Sequence, residues 1–281
     1  MSHQHTPDID FAAHAEELVR GGRVRSEVTA RIAAELPLPP HAVAADVGCG
    51  AGEMTLLLAG RGATVYAVDR EDALLRLVGD RAAELGHGAV RTVRAELADL
   101  PGVLPEPVDL VWAGHVVHHA GDQAAAVAGL AAALRPGGLL AVAEGGMPAR
   151  SLPADVGVGE HGLEGRLDVA HDRWFAAMRA GLPGSVRETR GWPELLRAAG
   201  LVDVTMRAYL LQRPSPLADA DREFVLHRLA GRVERAADRL DAADADAWGR
   251  LLDPADAAWL GHRRDLELLS VEAVYVGRRP N

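Results

Sequence analysis

The sequence predicts an α/β protein built on a doubly wound, mostly parallel sheet, and three observations predict it. Short, continuously apolar runs alternate with helical patterns from Val43 to Ala143. These runs lack an apolar–polar alternation, as expected of strands covered on both faces. The first run passes straight into Gly48-Cys49-Gly50-Ala51-Gly52 and then into a helical pattern.

Taken in order, the elements begin with helices. Phe11, Ala15, Leu18 and Val19 recur at helical spacing from Asp8 onward, Gly21-Gly22 breaks the pattern, and a second helix runs from Val24 to Leu36. Pro37, Pro39 and Pro40 stop it. Val43–Val47, Thr64–Val68, Ala89–Arg94, Val108–Ala113 and Leu139–Ala143 read as five strands. Glu53–Ala59, Asp72–Leu85 and Asp122–Leu134 are the helices among them, and Arg135-Pro136-Gly137-Gly138 is a turn. Gly145–Gly191 interrupts the rhythm with a proline- and glycine-rich start and one helix, Asp168–Ala180. Trp192–Ala199 is a helix, Leu201–Leu211 a strand, Ala218–Leu260 two or three amphipathic helices, and Ser270–Val276 the closing strand. That makes seven strands. The expected division is an N-terminal helical cover (1–40), a ligand-binding core (41–144), a lid or substrate cover after the fifth strand (145–191), and the C-terminal part of the core (192–281). A helical insertion at about 218–268 precedes the last strand.

Composition removes several functions. All 30 basic residues are arginine, which excludes a P-loop lysine, Schiff-base chemistry and any lysine base. The single Cys49 excludes disulfides and cysteine-clustered zinc sites and fits a reducing, cytoplasmic compartment. A net charge of −10 opposes nucleic acids and acidic membrane surfaces. Met1–Asp10 does not read as a signal peptide, and no apolar run reaches the ~20 residues that span a bilayer.

The loop at Gly48–Gly52 lets a backbone approach a ligand closely, and the helix that follows favours negative charge. Yet Glu53 at that helix start repels a pyrophosphate, and Asp46 at the strand end can attract an amino group. A carboxylate at the end of the second strand, Asp69, can accept both hydroxyls of a ribose, or cap the following helix. Ala45-Asp46-Val47-Gly48-Cys49-Gly50-Ala51-Gly52 resembles the first motif of the class I S-adenosylmethionine-dependent methyltransferases, small-molecule type. Further motifs resemble that family in its order: Val65-Tyr66-Ala67-Val68-Asp69, Ala95-Glu96-Leu97 before Asp99-Leu100-Pro101, Val108-Asp109-Leu110-Val111, and Leu134-Arg135-Pro136-Gly137-Gly138. The resemblance implies a Rossmann-like fold, S-adenosyl-L-methionine as cofactor, and cofactor contacts from Asp46, Gly48, Cys49, Gly50, Gly52, Asp69, Arg70, Glu96, Leu97 and Ala113. Glu96 departs from the family's more usual Asp. Asp109, at the far end of its strand, reads as structural.

His115, His118, His119 and Asp122 follow the fourth strand, whose carboxyl end borders the ligand crevice of such sheets. They would share one face if helical, a spacing that can hold a metal, but packing and capping are the plainer roles for His118 and His119, and no metal is assigned. His115 is the first candidate for a catalytic base and His119 the second. Trp174, Phe175 and Met178 suit a core more than a pocket. Asn281 is the only asparagine, so the Asn-Pro-Pro-aromatic signature of adenine and glutamine N-methylation is absent. The expected reaction is methyl transfer to an oxygen or carbon nucleophile of a small molecule of secondary metabolism. A nicotinamide-dependent oxidoreductase and a non-catalytic cofactor-binding protein are the alternatives, and a homodimer is left open.

Overall fold

A computed structural model describes residues 15–281. The chain forms two units. Among the described residues the first comprises 15–145, Gly181–Tyr209 and Glu272–Asn281; the second comprises Gly146–Ala180 and Leu210–Val271. In chain order the elements up to the first crossing are α1 (Ala15–Glu35), β1 (Val43–Val47), α2 (Glu53–Gly60), β2 (Thr64–Asp69), α3 (Asp72–Glu84), β3 (Val90–Arg94), α4 (Leu100–Val103), β4 (Val108–Gly114), α5 (Gln123–Ala132) and β5 (Leu134–Ala143). Then follow β6 (Met147–Arg150), α6 (Leu163–Ala180), α7 (Trp192–Ala198), β7 (Val202–Arg213), α8 (Asp219–Ala236), α9 (Ala242–Leu252) and β8 (Leu268–Arg278).

In the first unit the strand order is β3-β2-β1-β4-β5-β8, with β7 also paired to β8. Neighbours among β1–β5 pair in parallel, and β8 runs antiparallel to β5 from Leu139↔Arg278 to Ala143↔Val274. This is the doubly wound, mostly parallel, Rossmann-like sheet that the sequence predicts, but with eight strands rather than seven, because β6, absent from the sequence reading, also pairs with β8. Parallel strands buried on both faces need apolar residues at every position. In β1 and β4, Ala44, Ala45, Val47, Leu110, Val111 and Ala113 are at most 1% exposed. Asp109 ties the sheet's lower end together: it accepts from the Val43 N–H at 2.8 Å and pairs with Arg135 at 3.0 Å. That is the structural role read from its position.

Two further expectations are corrected here. α1 runs unbroken through Gly21-Gly22; the Asp8–His14 part of the predicted helix lies outside the described residues. Each helical glycine costs about 1 kcal/mol, but Val24, Val28, Ile32 and Ala33 bury one stripe of the same helix, and burying the valines and the isoleucine returns ~1.5–3 kcal/mol each. Gly22 also has a packing reason, because a Cβ there would lie 2.6 Å from the Glu53 carboxyl. The second correction concerns 145–191. It is not one segment: Gly146–Ala180 clusters with Leu210–Val271, while Gly181–Gly191 returns to the first unit, where the Val186 N–H donates to Gly121 O at 3.1 Å.

The second unit holds β6, paired antiparallel with the start of β8 through Met147↔Val271 and Arg150↔Leu269, together with α6, α8 and α9. Its buried charges are paired: Arg228 with Glu164 at 3.1 Å, Arg232 with Asp168 at 2.6 Å, and Arg166 with Asp244 at 2.7 Å. Trp174, Phe175 and Met178 are half-buried rather than core. Arg235 lies 5.5 Å over the Trp174 ring, and His171 is 5.0 Å from it.

Candidate active site

The β1–α2 turn is built by glycines in the left-handed region, Gly48 at φ 66°, Gly50 at 53° and Gly52 at 85°. The three serve two purposes. A Cβ on Gly48 would stand 2.5 Å from Val116 Cγ2, and one on Gly52 would stand 2.7 Å from a Val78 methyl. Those two glycines are therefore required by packing. A Cβ on Gly50 would meet nothing within 4 Å, so this is where the turn leaves room beside its backbone. Cys49 is buried, and burial pushes its thiol well above the ordinary range, so it presents no nucleophile.

Asp69 closes the turn from the neighbouring strand. It accepts from the Gly50 N–H at 3.0 Å and from the Glu71 N–H at 3.0 Å. A carboxylate offers about four lone-pair sites, so two backbone bonds leave capacity for a ligand's hydroxyls. Arg70 pairs with Glu71 at 3.4 Å. Glu96 is exposed just past β3 and Leu97 half-buried beside it.

Asp46 differs from its sequence reading. It is 2% exposed, and the Thr55 hydroxyl donates to it at 2.6 Å. Burial pushes its carboxyl from 3.8 up to about 7, against the pull of Thr55. The demand of a strand-end carboxylate for a partner is thus met inside the chain. Ala113 is likewise corrected: it is fully buried in β4 between Val47 and Val142, and the accessible end of that strand belongs to Gly114 and His115.

The histidines do not share a helical face. His115 sits at φ 54°, its N–H donating to Ala143 O at 2.9 Å, and only Val117–His119 forms a short 3₁₀ turn. Asp122 caps α5 by accepting from the Ala125 N–H at 2.9 Å. His118 reaches back to the end of β5, with Nδ1 2.9 Å from Glu144 Oε2, and its N–H donates to Oε1 of the same carboxylate at 3.2 Å. Burial alone would raise the Glu144 carboxyl, but His118 holds it below its usual range. His119 packs against His118 with ring centroids 4.1 Å apart and the ring planes tilted by 44°. Among the described residues no group of His, Cys, Asp and Glu is placed to hold a metal.

His115 extends over the same edge, with Nε2 2.9 Å from Glu272 Oε1 on β8. Nothing local in the sequence signals Glu144 or Glu272; the pairing of β4 with β5 brings Glu144 to His118, and the pairing of β5 with β8 brings Glu272 to His115. The edge therefore collects a glycine turn with room beside Gly50, the Asp69 carboxylate, and two histidine–glutamate pairs.

A family model described as a methyltransferase domain matches residues 45–142. A trans-aconitate 2-methyltransferase of Methylobacterium radiotolerans is 32% identical over 193 residues, which span 66% of this chain and 68% of that one. A ubiquinone biosynthesis O-methyltransferase of Xylella fastidiosa is 35% identical over 97 residues, 34% of this chain and 39% of its own. The solved structure of YcgJ from Bacillus subtilis superposes with a TM-score of 0.53 at 16% identity, covering 91% of this chain and 99% of that one, and shows the same fold. The room beside Gly50 and the open lone pairs of Asp69 suit a ribose-bearing ligand without phosphates, and taken with the 32% identity they establish that this chain belongs to the class I S-adenosylmethionine-dependent methyltransferases and uses S-adenosylmethionine as its cofactor.

Proposed function

We propose that the chain transfers the methyl group to a hydroxyl oxygen of a small molecule, with His115 taking the proton. The observation that carries this reading is His115 itself. It is held at φ 54° at the carboxyl end of β4, 47% exposed, and non-glycine residues in that region concentrate at functional sites. In this reading Asp69 accepts the ribose hydroxyls, Glu96 and Leu97 flank the adenine, Arg70 lies beside them, and the Gly48–Gly52 turn runs under the methionine part. S-adenosylmethionine supplies an electrophilic methyl on a sulfonium. Proximity and orientation lower such a barrier by ~7–11 kcal/mol, and a base adds ~10²–10⁴-fold for a poorly acidic hydroxyl.

The relatives' names point to oxygen acceptors, and trans-aconitate is a tricarboxylate. A carboxylate oxygen carries no proton to remove and needs no base. The carboxylates of Glu144 and Glu272 at this edge work against a polyanionic acceptor, which favours a hydroxyl. The test is transfer of labelled methyl from S-adenosylmethionine to a panel holding trans-aconitate, phenols, catechols and amines. Label in an oxygen-linked methyl of a phenol or catechol, with single-turnover rates reduced more than ~10²-fold in His115→Ala at unchanged cofactor affinity, is the expected result. His119→Ala, which removes a ring packed at a tilt against His118, is expected to stay within a few fold of the parent. Transfer to trans-aconitate or an amine at the parent's rate in His115→Ala would refute the reading.

A further inference from the structure

We propose that Glu272 is the positioning residue for His115, fixing which ring nitrogen receives the acceptor's proton; this rests on His115 being the base. Three observations lead there. Nε2 of His115 lies 2.9 Å from Glu272 Oε1, in the first unit. That oxygen is walled off from solvent and has no aligned donor among the described residues, His115 at 2.9 Å included, and a buried carboxylate oxygen left without a donor costs about 1–3 kcal/mol or more. The imidazole is the group able to satisfy it, by a small rotation of its ring. The third observation is the backbone: φ of 54° and the His115 N–H bond to Ala143 O turn the side chain of His115 off the end of β4 toward β8.

When Nε2 carries the hydrogen and donates it to Glu272, the lone pair is on Nδ1. The acceptor's hydroxyl proton passes to Nδ1 while its oxygen forms the bond to the methyl carbon and the carbon–sulfur bond breaks. S-adenosylhomocysteine leaves neutral at sulfur, the imidazolium is held by the Glu272 carboxylate, and its proton returns to water. Glu272 touches neither substrate nor reacting atoms in this scheme. The other carboxylate acting on this region, Glu144 at the end of β5, is engaged by His118, so the two acids have separate partners.

The experiment uses the full chain with S-adenosylhomocysteine bound and follows the His115 ring signals by NMR against pH, assigned with His115→Gln. Besides His118, the titratable groups at this edge are Glu272 from β8 and Glu144 from the end of β5, so Glu272→Gln and Glu144→Gln are titrated alongside the parent. Glu272→Gln is expected to reduce the proton affinity of His115 at least tenfold, with Glu144→Gln within about threefold of the parent. An unchanged His115 titration in Glu272→Gln, or an equal effect from Glu144→Gln, overturns the proposal without touching the base reading. On the acceptor found by the methyl-label panel, Glu272→Gln should lower kcat about tenfold with KM within twofold, Glu272→Asp should restore part of it, and Glu272→Gln should add nothing in the His115→Ala background. Additive losses overturn the positioning role. A parent-like rate for His115→Ala overturns the base reading and this proposal together.

Discussion

Asp46 is a carboxylate placed where water cannot reach it, and its partner decides what it does. With Thr55 as its donor and burial raising its carboxyl from 3.8 to about 7, the folded chain holds a proton that the unfolded chain releases between those values. Where the native state binds more protons, stability falls as pH rises. Asp46 thus contributes its full stability below about pH 4 and loses it as pH approaches about 7. Asp46→Asn, which cannot ionise, is expected to show a flatter dependence of its thermal midpoint on pH across that window. A constant gap between the two proteins from acid to neutral pH would show that the carboxyl does not titrate there. Asp69 is the opposite case, a half-buried carboxylate with two backbone donors and lone pairs to spare. Hydrogen bonds to a charged group contribute ~1.5–3 kcal/mol and ~1.4 kcal/mol is a factor of ten. Asp69→Ala should therefore weaken S-adenosylmethionine at least about tenfold by calorimetry, and an unaltered dissociation constant in the folded variant would remove the ribose contact.

At the scale of an element, the β1–α2 turn shows that a run of glycines is not one device. Gly48 and Gly50 both sit at positive φ, so an alanine at either carries a strain of roughly 1–2 kcal/mol. Only Gly48→Ala also drives a methyl into Val116, and overpacking of that kind adds ~1–3 kcal/mol. Denaturant unfolding should rank Gly48→Ala as the less stable variant, whereas binding should rank Gly50→Ala as the weaker for cofactor. The reverse order in both measurements would mean that the room beside Gly50 is not used. α1 teaches a related lesson. Its glycine pair reads locally as a break, yet the helix continues because Gly22 makes space for Glu53 and the flanking valines are buried.

Considered as a whole, the molecule divides its chain unevenly, with the second unit assembled from two stretches far apart in sequence. That unit buries charge as well as apolar surface. His171, beside Arg232 and Arg235, has its imidazole lowered from 6.5 to about 4, chiefly by burial and then by the two guanidiniums. As pH falls through that window the unfolded chain takes up a proton that the folded chain refuses, so stability is lost on acidification. His171→Gln is expected to keep more of its stability between about pH 6.5 and about pH 4, read from tryptophan fluorescence of unfolding. An identical acid transition in both proteins would place the acid sensitivity elsewhere.

What the sequence by itself determined is what short-range patterns can specify. Continuous apolar runs set the buried parallel strands, the glycine turn and Asp69 stood out at the strand ends, and Asp109 was recognisable as structural from its place at the start of β4. These features depend on residues within a few positions of one another. The tertiary structure decided the rest. It gave Asp46 its Thr55 partner, sealed Ala113 inside the sheet, kept α1 whole, split the 145–191 segment at Ala180, and brought Glu144 and Glu272 to the histidines. Each of these depends on a contact between separate elements: α2 against β1 for Thr55 and against α1 for Gly22, β1 and β5 on either side of Ala113, β5 beside β4 for Glu144, β8 antiparallel to β5 for Glu272, and α6 against α8 in the second unit. Such pairings are selected by packing and loop closure across the whole chain, which no local period encodes.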